Sequence, residues 1–302
     1  MKRLYDFAWP LLATLITLPG SALAGDRTQA GSTPPPPGVQ VVKDKTGKEM
    51  VLIRPATFWM GDNKDFDDDA RPAHEVRITK PYYLDRYEVT RGDFEKCVKA
   101  GKCTWPMGPR KSKIAPRGST QRDNWGLKYC GAKMYHEPAD HPLTCVNFHE
   151  AKAYCETWRG GRLPSEAEWE LAARGGLDRK RFPWGDDPPT RKLAIYETYR
   201  GTMPVGTYPP NGFGLYEMAG NVWEWTADWY SGNYYRKSPK DDPRGPCPPN
   251  AEKCEGTQQH RAMRGGSWIT GGYGLRVTYR NHHLPWNRFE VVGFRCLADK
   301  VN

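Results

Sequence analysis

From residue 39 to 61 apolar and polar positions alternate, and residues 75–90 (EVRITKPYYLDRYEVT) are rich in β-branched and aromatic types. Both stretches predict short strands with one face turned inward. The period then changes. Thr90 followed by Asp93, with Phe94, Cys97 and Val98 on one face and Gly101 as a stop, predicts a first helix. Asn147 followed by Glu150, with Ala151, Tyr154, Cys155 and Trp158 on one face and Gly160 as the stop, predicts a second. Ser165 and Glu168 form a capping box ahead of Trp169, Ala172 and Ala173, and Gly175 ends a third. Beyond residue 176 no strong helix pattern remains, and short pieces alternate with turns rich in Gly, Pro and Asn. Residues 264–268 and 291–297 read as closing strands. No internal repeat and no second linker are visible. The prediction is an α+β domain of few helices, short strands and long loops.

Composition narrows this picture. The 302 residues are 38% hydrophobic and 12% aromatic, with 31 Gly and 27 Pro. That many aromatics excludes a disordered chain, and that much Gly and Pro excludes a helical bundle. The core must be built largely from aromatic rings.

The first residues have their own pattern. Lys2 and Arg3 precede an apolar stretch from Leu11 to Leu18, and Ser21-Ala22-Leu23-Ala24 offers a small-residue cleavage site. Residues 1–24 therefore read as a secretory signal peptide, since the apolar stretch is too short to span a bilayer. Residues 25–39 follow as a polar, Pro-rich linker, and residues 40–302 as a single domain. Export places the protein in the periplasm or outside the cell, with no membrane span after cleavage. The net charge of +10 is scattered apart from loops such as 110–113 and 179–181, and reads as a solvated basic surface rather than a nucleic-acid site.

All eight cysteines follow the cleavage site: Cys97, Cys103, Cys130, Cys145, Cys155, Cys247, Cys254 and Cys296. In an oxidising compartment they read as up to four disulfides, with more connectivities than spacing can settle. Cys97/Cys103 and Cys247/Cys254 enclose short loops that suit local bridges. No CxxC occurs, so structural zinc is not expected.

The run HPLTCVNFHEAKAYCETWRGGRLPSEAEWELAARGG (141–176) resembles the formylglycine-generating enzyme, or sulfatase-modifying factor, family. FPWGDD (182–187), NGFGLYEMAGNVWEWTADWY (211–230), RGGSW (264–268) and GFRCLAD (293–299) are similar to its motifs too, as are FWMGD (58–62) and YYLDRYEVT (82–90). They cover roughly residues 40–300 in the family's order. The resemblance implies a variant of the C-type-lectin-like fold, and pairs Cys155 with Cys296. It also implies oxidation of a substrate cysteine at two copper(I)-binding thiolates a few residues after the Gly-Gly-Ser motif. Here Thr270 and Leu275 stand at those places, and neither supplies the soft ligand that copper(I) needs. Copper is therefore not expected.

The resemblance further implies calcium, with Glu217 and Glu224 giving carboxylates and Gly220 and Val222 giving backbone carbonyls, a hard-oxygen set of the right kind. The family's other calcium site is poorly matched, because Ala194-Ile195 stand where an Asn-bearing pair is expected. Catalytic candidates around the lost copper site are Ser267, Thr270, Tyr279 and His282. His282 and His283 are adjacent and would point oppositely on a strand. His74, His136, His141, His149 and His260 are scattered singly and read as structural. Glu166, Glu168 and Glu170 do not share a helix face, and two of them suit the helix dipole.

Three functions follow from this. The first is a calcium-stabilised binding or regulatory module of the cell envelope, with a protein or glycan partner, similar to relatives that act on membrane kinases or secretion systems. The second is a periplasmic oxidoreductase of altered chemistry, similar to the pyoverdine-maturation enzyme. The third, least supported, is formylglycine generation on sulfatases.

Overall fold

The computed structural model describes residues 34–64, 68–106, 130, 137–255 and 257–301. The signal peptide, most of the linker, part of the acidic loop at 65–69, the basic loop at 110–113 and His136 lie outside the described residues. Among the linker residues, Val39 packs against the core.

The alternating N-terminal stretch forms β1 (Val41–Lys43), β2 (Glu49–Ile53) and β3 (Ala56–Met60). β4 (His74–Ile78) and β5 (Tyr82–Asp85) come from the second strand-like stretch. β3 and β4 pair as a two-stranded ribbon, with Phe58 opposite Val76. α1 (Arg91–Lys99) begins at Thr90, whose hydroxyl accepts from the Asp93 N–H while the Asp93 side chain accepts from the Thr90 N–H.

α2 (Phe148–Ala153) has the same reciprocal cap from Asn147 and Glu150. One α-helix as far as Gly160 was expected. Instead the chain widens into a π-helical turn over Tyr154–Arg159, and Gly160 closes it in the left-handed region. That turn carries Cys155 to Cys296 and Arg159 to Asp85, where the guanidinium meets both carboxylate oxygens at 2.7 and 3.1 Å. α3 (Glu166–Arg174) is capped by Ser165 and Glu168, ends at Gly175, and is buried along its whole length.

β6 (Trp223–Trp229) is the longest strand and was not foreseen. Trp223, Trp225 and Trp229 alternate with Glu224, Thr226 and Asp228, yet both sets are buried, so no polar face marked it as a strand. β7 (Arg261–Arg264) and β8 (Asn281–His283) pair with it in order, and β9 (Val292–Gly293) joins its other side in parallel. β10 (Leu297–Ala298) instead returns to β5, giving a second four-stranded sheet in the order β1-β2-β5-β10.

The expected closing strand at 264–268 is corrected: it ends at Arg264, because Gly265 and Gly266 take φ of 100° and 78°. The one expected at 291–297 is two pairs of residues serving different sheets.

One apolar core joins α3 to the β1-β2-β5-β10 sheet and the β3–β4 ribbon, and another joins α1 and α2 to β6 and β9. All eight cysteines are paired: Cys97–Cys103, Cys130–Cys145, Cys155–Cys296 and Cys247–Cys254. No helix among the described residues is long and apolar enough to cross a membrane.

Candidate functional site

The segment after Arg264 folds back on itself. Gly266 is held close to Gly274, where a Cβ would meet the Gly274 carbonyl oxygen at 2.8 Å. The Thr270 hydroxyl accepts from the Ser267 N–H at 3.0 Å and lies 2.8 Å from the Ser267 hydroxyl. The two hydroxyls therefore close their own turn. Leu275 is fully buried among Phe182, Ala194 and Ala219. Copper(I) does not fit here: one position is a hydroxyl already engaged, the other a branched alkyl group in a core, and every cysteine sulfur is in a disulfide.

The four catalytic candidates do not form one constellation. Ser267 and Thr270 are together, and Tyr279 stands near them through Trp223 and Tyr273, at ring separations of 5.8 and 5.5 Å. His282 is elsewhere. It stacks on Tyr230 at 3.8 Å, and its Nδ1 lies 2.7 Å from Nδ1 of His260. Burial and the neighbouring His260 pull the His282 imidazole down to about 4, so it is neutral at physiological pH. His260 was read as solitary, and sequence offers no signal for this pairing. Other residues near the site are structural: Arg280 pairs with Glu166 at 2.7 Å and Arg288 with Glu150 at 2.5 Å.

The strongest polar construction lies beneath this turn. Glu88, Glu217 and Glu224 are all buried, and one guanidinium, Arg295, faces Glu224. Glu224 also accepts from the Trp169 indole at 2.8 Å. Glu217 sits at φ 48° and accepts from the Gly206 and Tyr208 N–H groups at 2.8 and 3.1 Å. Glu88 accepts from Asn221 Nδ2 at 2.6 Å and from the Val222 N–H at 3.3 Å. Gly220, at φ 86°, leaves no room for a Cβ against the Ile195 carbonyl.

Burial pushes the Glu217 carboxyl up to about 7. Burial, followed by Glu217 and Glu224, pushes Glu88 well above the carboxylate range. Three buried carboxyls against one guanidinium leave charge that only protons or a cation can neutralise.

Glu217, Glu224 and the Gly220 and Val222 carbonyls are the oxygen donors that the family resemblance assigns to a hard cation. Glu217 accepts two backbone N–H bonds, and the four lone-pair sites of Glu224 are taken by Arg295 and Trp169, so a cation there would have to displace some of these bonds. No cluster of three or more His, Cys, Asp or Glu arranged to hold a metal occurs among the described residues. Sequence reasoning missed Glu88 and Arg295, although the first lies in the YYLDRYEVT motif and the second in GFRC. An ionisable residue inside an apolar strand motif was the signal.

The model of the sulfatase-modifying factor enzyme 1-like domain matches residues 38–300. The chain belongs to the sulfatase-modifying factor family. The formylglycine-generating enzyme of Thermomonospora curvata is 36% identical, with 84% of this chain and 94% of that enzyme covered. The inactive C-alpha-formylglycine-generating enzyme 2 of Bos taurus is 30% identical, covering 82% and 87%. Among solved structures, PvdO from Pseudomonas aeruginosa superimposes with a TM-score of 0.66 at 29% identity, covering 88% and 98%. The fold is thus that of the formylglycine-generating enzymes.

Proposed function

We propose that this family member is a binding or regulatory module of the cell envelope, built on the formylglycine-generating-enzyme fold without its copper chemistry. The observation that carries this reading is the absence of any available thiol. Thr270 and Leu275 hold the two copper positions, and all eight cysteines are consumed in disulfides. A relative named as inactive, 30% identical with 82% of this chain covered, supports the same direction. The basic N-terminal residues and apolar stretch support export to the periplasm or beyond, where a protein or glycan partner, such as a membrane kinase or a secretion system, would be met. Calcium at Glu217, Gly220, Val222 and Glu224 belongs to this proposal as a structural ion, supported by the uncompensated buried carboxyls. The alternative, an oxidoreductase of altered chemistry, is weakened because Ser267 and Thr270 bond each other while His282 bonds His260.

The experiment is metal analysis of the disulfide-intact protein, with oxygen uptake followed in the same sample after addition of reductant and copper or iron. One calcium per chain and no oxygen consumption is the expected result. Stoichiometric copper or iron, or oxygen turnover, overturns the binding-module reading.

A further inference from the structure

A cavity of about 410 Å³ opens between the turn after β3, the last residue of α3 and the 179–186 loop. Five of its lining residues are cations: Lys64, Arg174, Arg179, Lys180 and Arg181. Two are acids, Asp62 and Asp186. Asp186 pairs with Lys180 at 2.7 Å, and Lys64 leads into the acidic 65–69 loop, so those two cations are set against acids.

The three guanidinium groups are not matched in the same way. Arg174 pairs with Glu170 at 2.7 Å, but Glu170 is shared with Arg264, and Arg264 shares Glu166 with Arg280. Arg179 lies 4.0 Å from Asp178, with both side chains mostly exposed, a contact worth little. Its guanidinium covers the Trp59 ring, 4.2 Å from the centroid, which engages its face rather than its in-plane N–H donors. Arg181 is exposed and forms no ion pair among the described residues, although the charge of Asp186 reaches it.

The loop that carries these cations is fixed. The Arg181 N–H donates to Asp186 at 3.2 Å, and its carbonyl accepts from the Val277 N–H at 2.9 Å. Phe182 and Gly185 bond each other through both backbone groups. Arg179 takes φ of 50°, a left-handed conformation uncommon for a non-glycine residue. A loop held in this way presents its charges at a smaller ordering cost on binding. The negative end of α3 opposes an anion by about half a charge, less than the surplus of Arg179 and Arg181.

We propose that this cavity binds a phosphate or sulfate ester carried on a sugar, its oxyanion held by Arg179 and Arg181. Guanidinium groups line it from α3 and from the loop, and a tetrahedral oxyanion spreads its oxygens in several directions where a carboxylate keeps two in one plane. The volume exceeds that of a bare oxyanion and is in the range of small-molecule sites. With the Trp59 face covered by Arg179, the remaining lining is mainly polar, Asn63 and Thr278 among it, which suits hydroxyl groups better than an aromatic ring. The two esters share one chemistry and differ in source. The site shares no residue with the Thr270 turn or with Glu88, Glu217 and Glu224. The proposal goes beyond the binding-module reading and does not depend on the loss of copper chemistry.

The test is calorimetric titration of the full chain at low salt with glucose 6-phosphate and, separately, glucose 6-sulfate. Glucuronate serves as the sugar carboxylate and glucose as the neutral sugar. One or both esters should bind at least tenfold tighter than glucuronate or glucose, the affinity should fall as salt rises, and the ester that binds identifies the source. Arg179→Gln and Arg181→Gln should each weaken that binding about fivefold with an unchanged melting curve, since both side chains are exposed. Lys192→Gln, exposed and outside the cavity, should bind as the parent does. No saturable binding of either ester, equal binding of glucuronate or glucose, full affinity in both Arg variants, or an equal loss in Lys192→Gln overturns the proposal. None of these readouts uses oxygen or copper, so failure here is distinct from failure of the binding-module reading.

Discussion

Arg295 holds Glu224 through both carboxylate oxygens, from Nε at 2.8 and 2.9 Å and from Nη2 at 2.7 Å, with both side chains buried. The same guanidinium donates to the carbonyls of Asp85 and Tyr216, so one side chain ties the end of β5 to β6 and to the 217–222 loop. Replacing it by Met leaves Glu224 buried beside Glu88 and Glu217 with no cation. Arg295→Met should cost about 3–5 kcal/mol in urea unfolding. A loss below about 1 kcal/mol would mean that the carboxyl is neutral without its partner.

The four disulfides should not contribute equally. Cys155–Cys296 spans 141 residues, whereas Cys97–Cys103 spans 6. Loop-closure entropy gives about 5 kcal/mol for the first and about 2 for the second. The double Ser variant at 155 and 296 should therefore melt well below the one at 97 and 103. Equal melting temperatures would show that denatured-state entropy does not set these contributions.

Asp228 makes stability depend on pH. Burial, followed by the Glu166 carboxylate, raises its carboxyl to about 8 from an ordinary 3.8. The folded state thus holds a proton that the unfolded chain releases. Its contribution is complete below about pH 4 and is lost as pH rises toward 8, by at most about 1.4 kcal/mol per pH unit. Asp228→Asn keeps a neutral acceptor for the Glu166 N–H, bonded at 3.0 Å, so it should gain stability relative to the parent between pH 5 and 8. A difference independent of pH would show that Asp228 is ionised in the fold.

Restoring thiols tests what the Thr270 turn has lost. Thr270→Cys with Leu275→Cys places two soft ligands at the positions that the family resemblance assigns to copper, at a cost of about 2 kcal/mol for emptying part of the Leu275 site. In an anaerobic copper(I) titration against a chromophoric chelator, the double variant should retain one copper per chain and the parent none. Retention by the parent would contradict the assignment of these positions.

The helix starts were legible because capping is local. Thr90 with Asp93, Asn147 with Glu150 and Ser165 with Glu168 each close a reciprocal bond across three residues, so the pattern in sequence is the contact in space. The family motifs carried the architecture.

What the tertiary structure alone decided are the long-range pairings. Glu166, Glu168 and Glu170 read as residues on separate faces, two of them suited to the helix dipole, but Glu166 and Glu170, four apart, share a face and both meet Arg264. All three are buried on α3 and matched by Arg280, Arg162 and Arg264, with Glu166 and Arg280 separated by 114 positions. His260 meets His282 across the β7–β8 pair, and Arg261 stacks between the rings of Trp229 and Phe148. A sequence pattern reports which residues repeat along one element. Whether a buried charge finds a partner depends on which elements the core brings together, and that is fixed only when the sheets close.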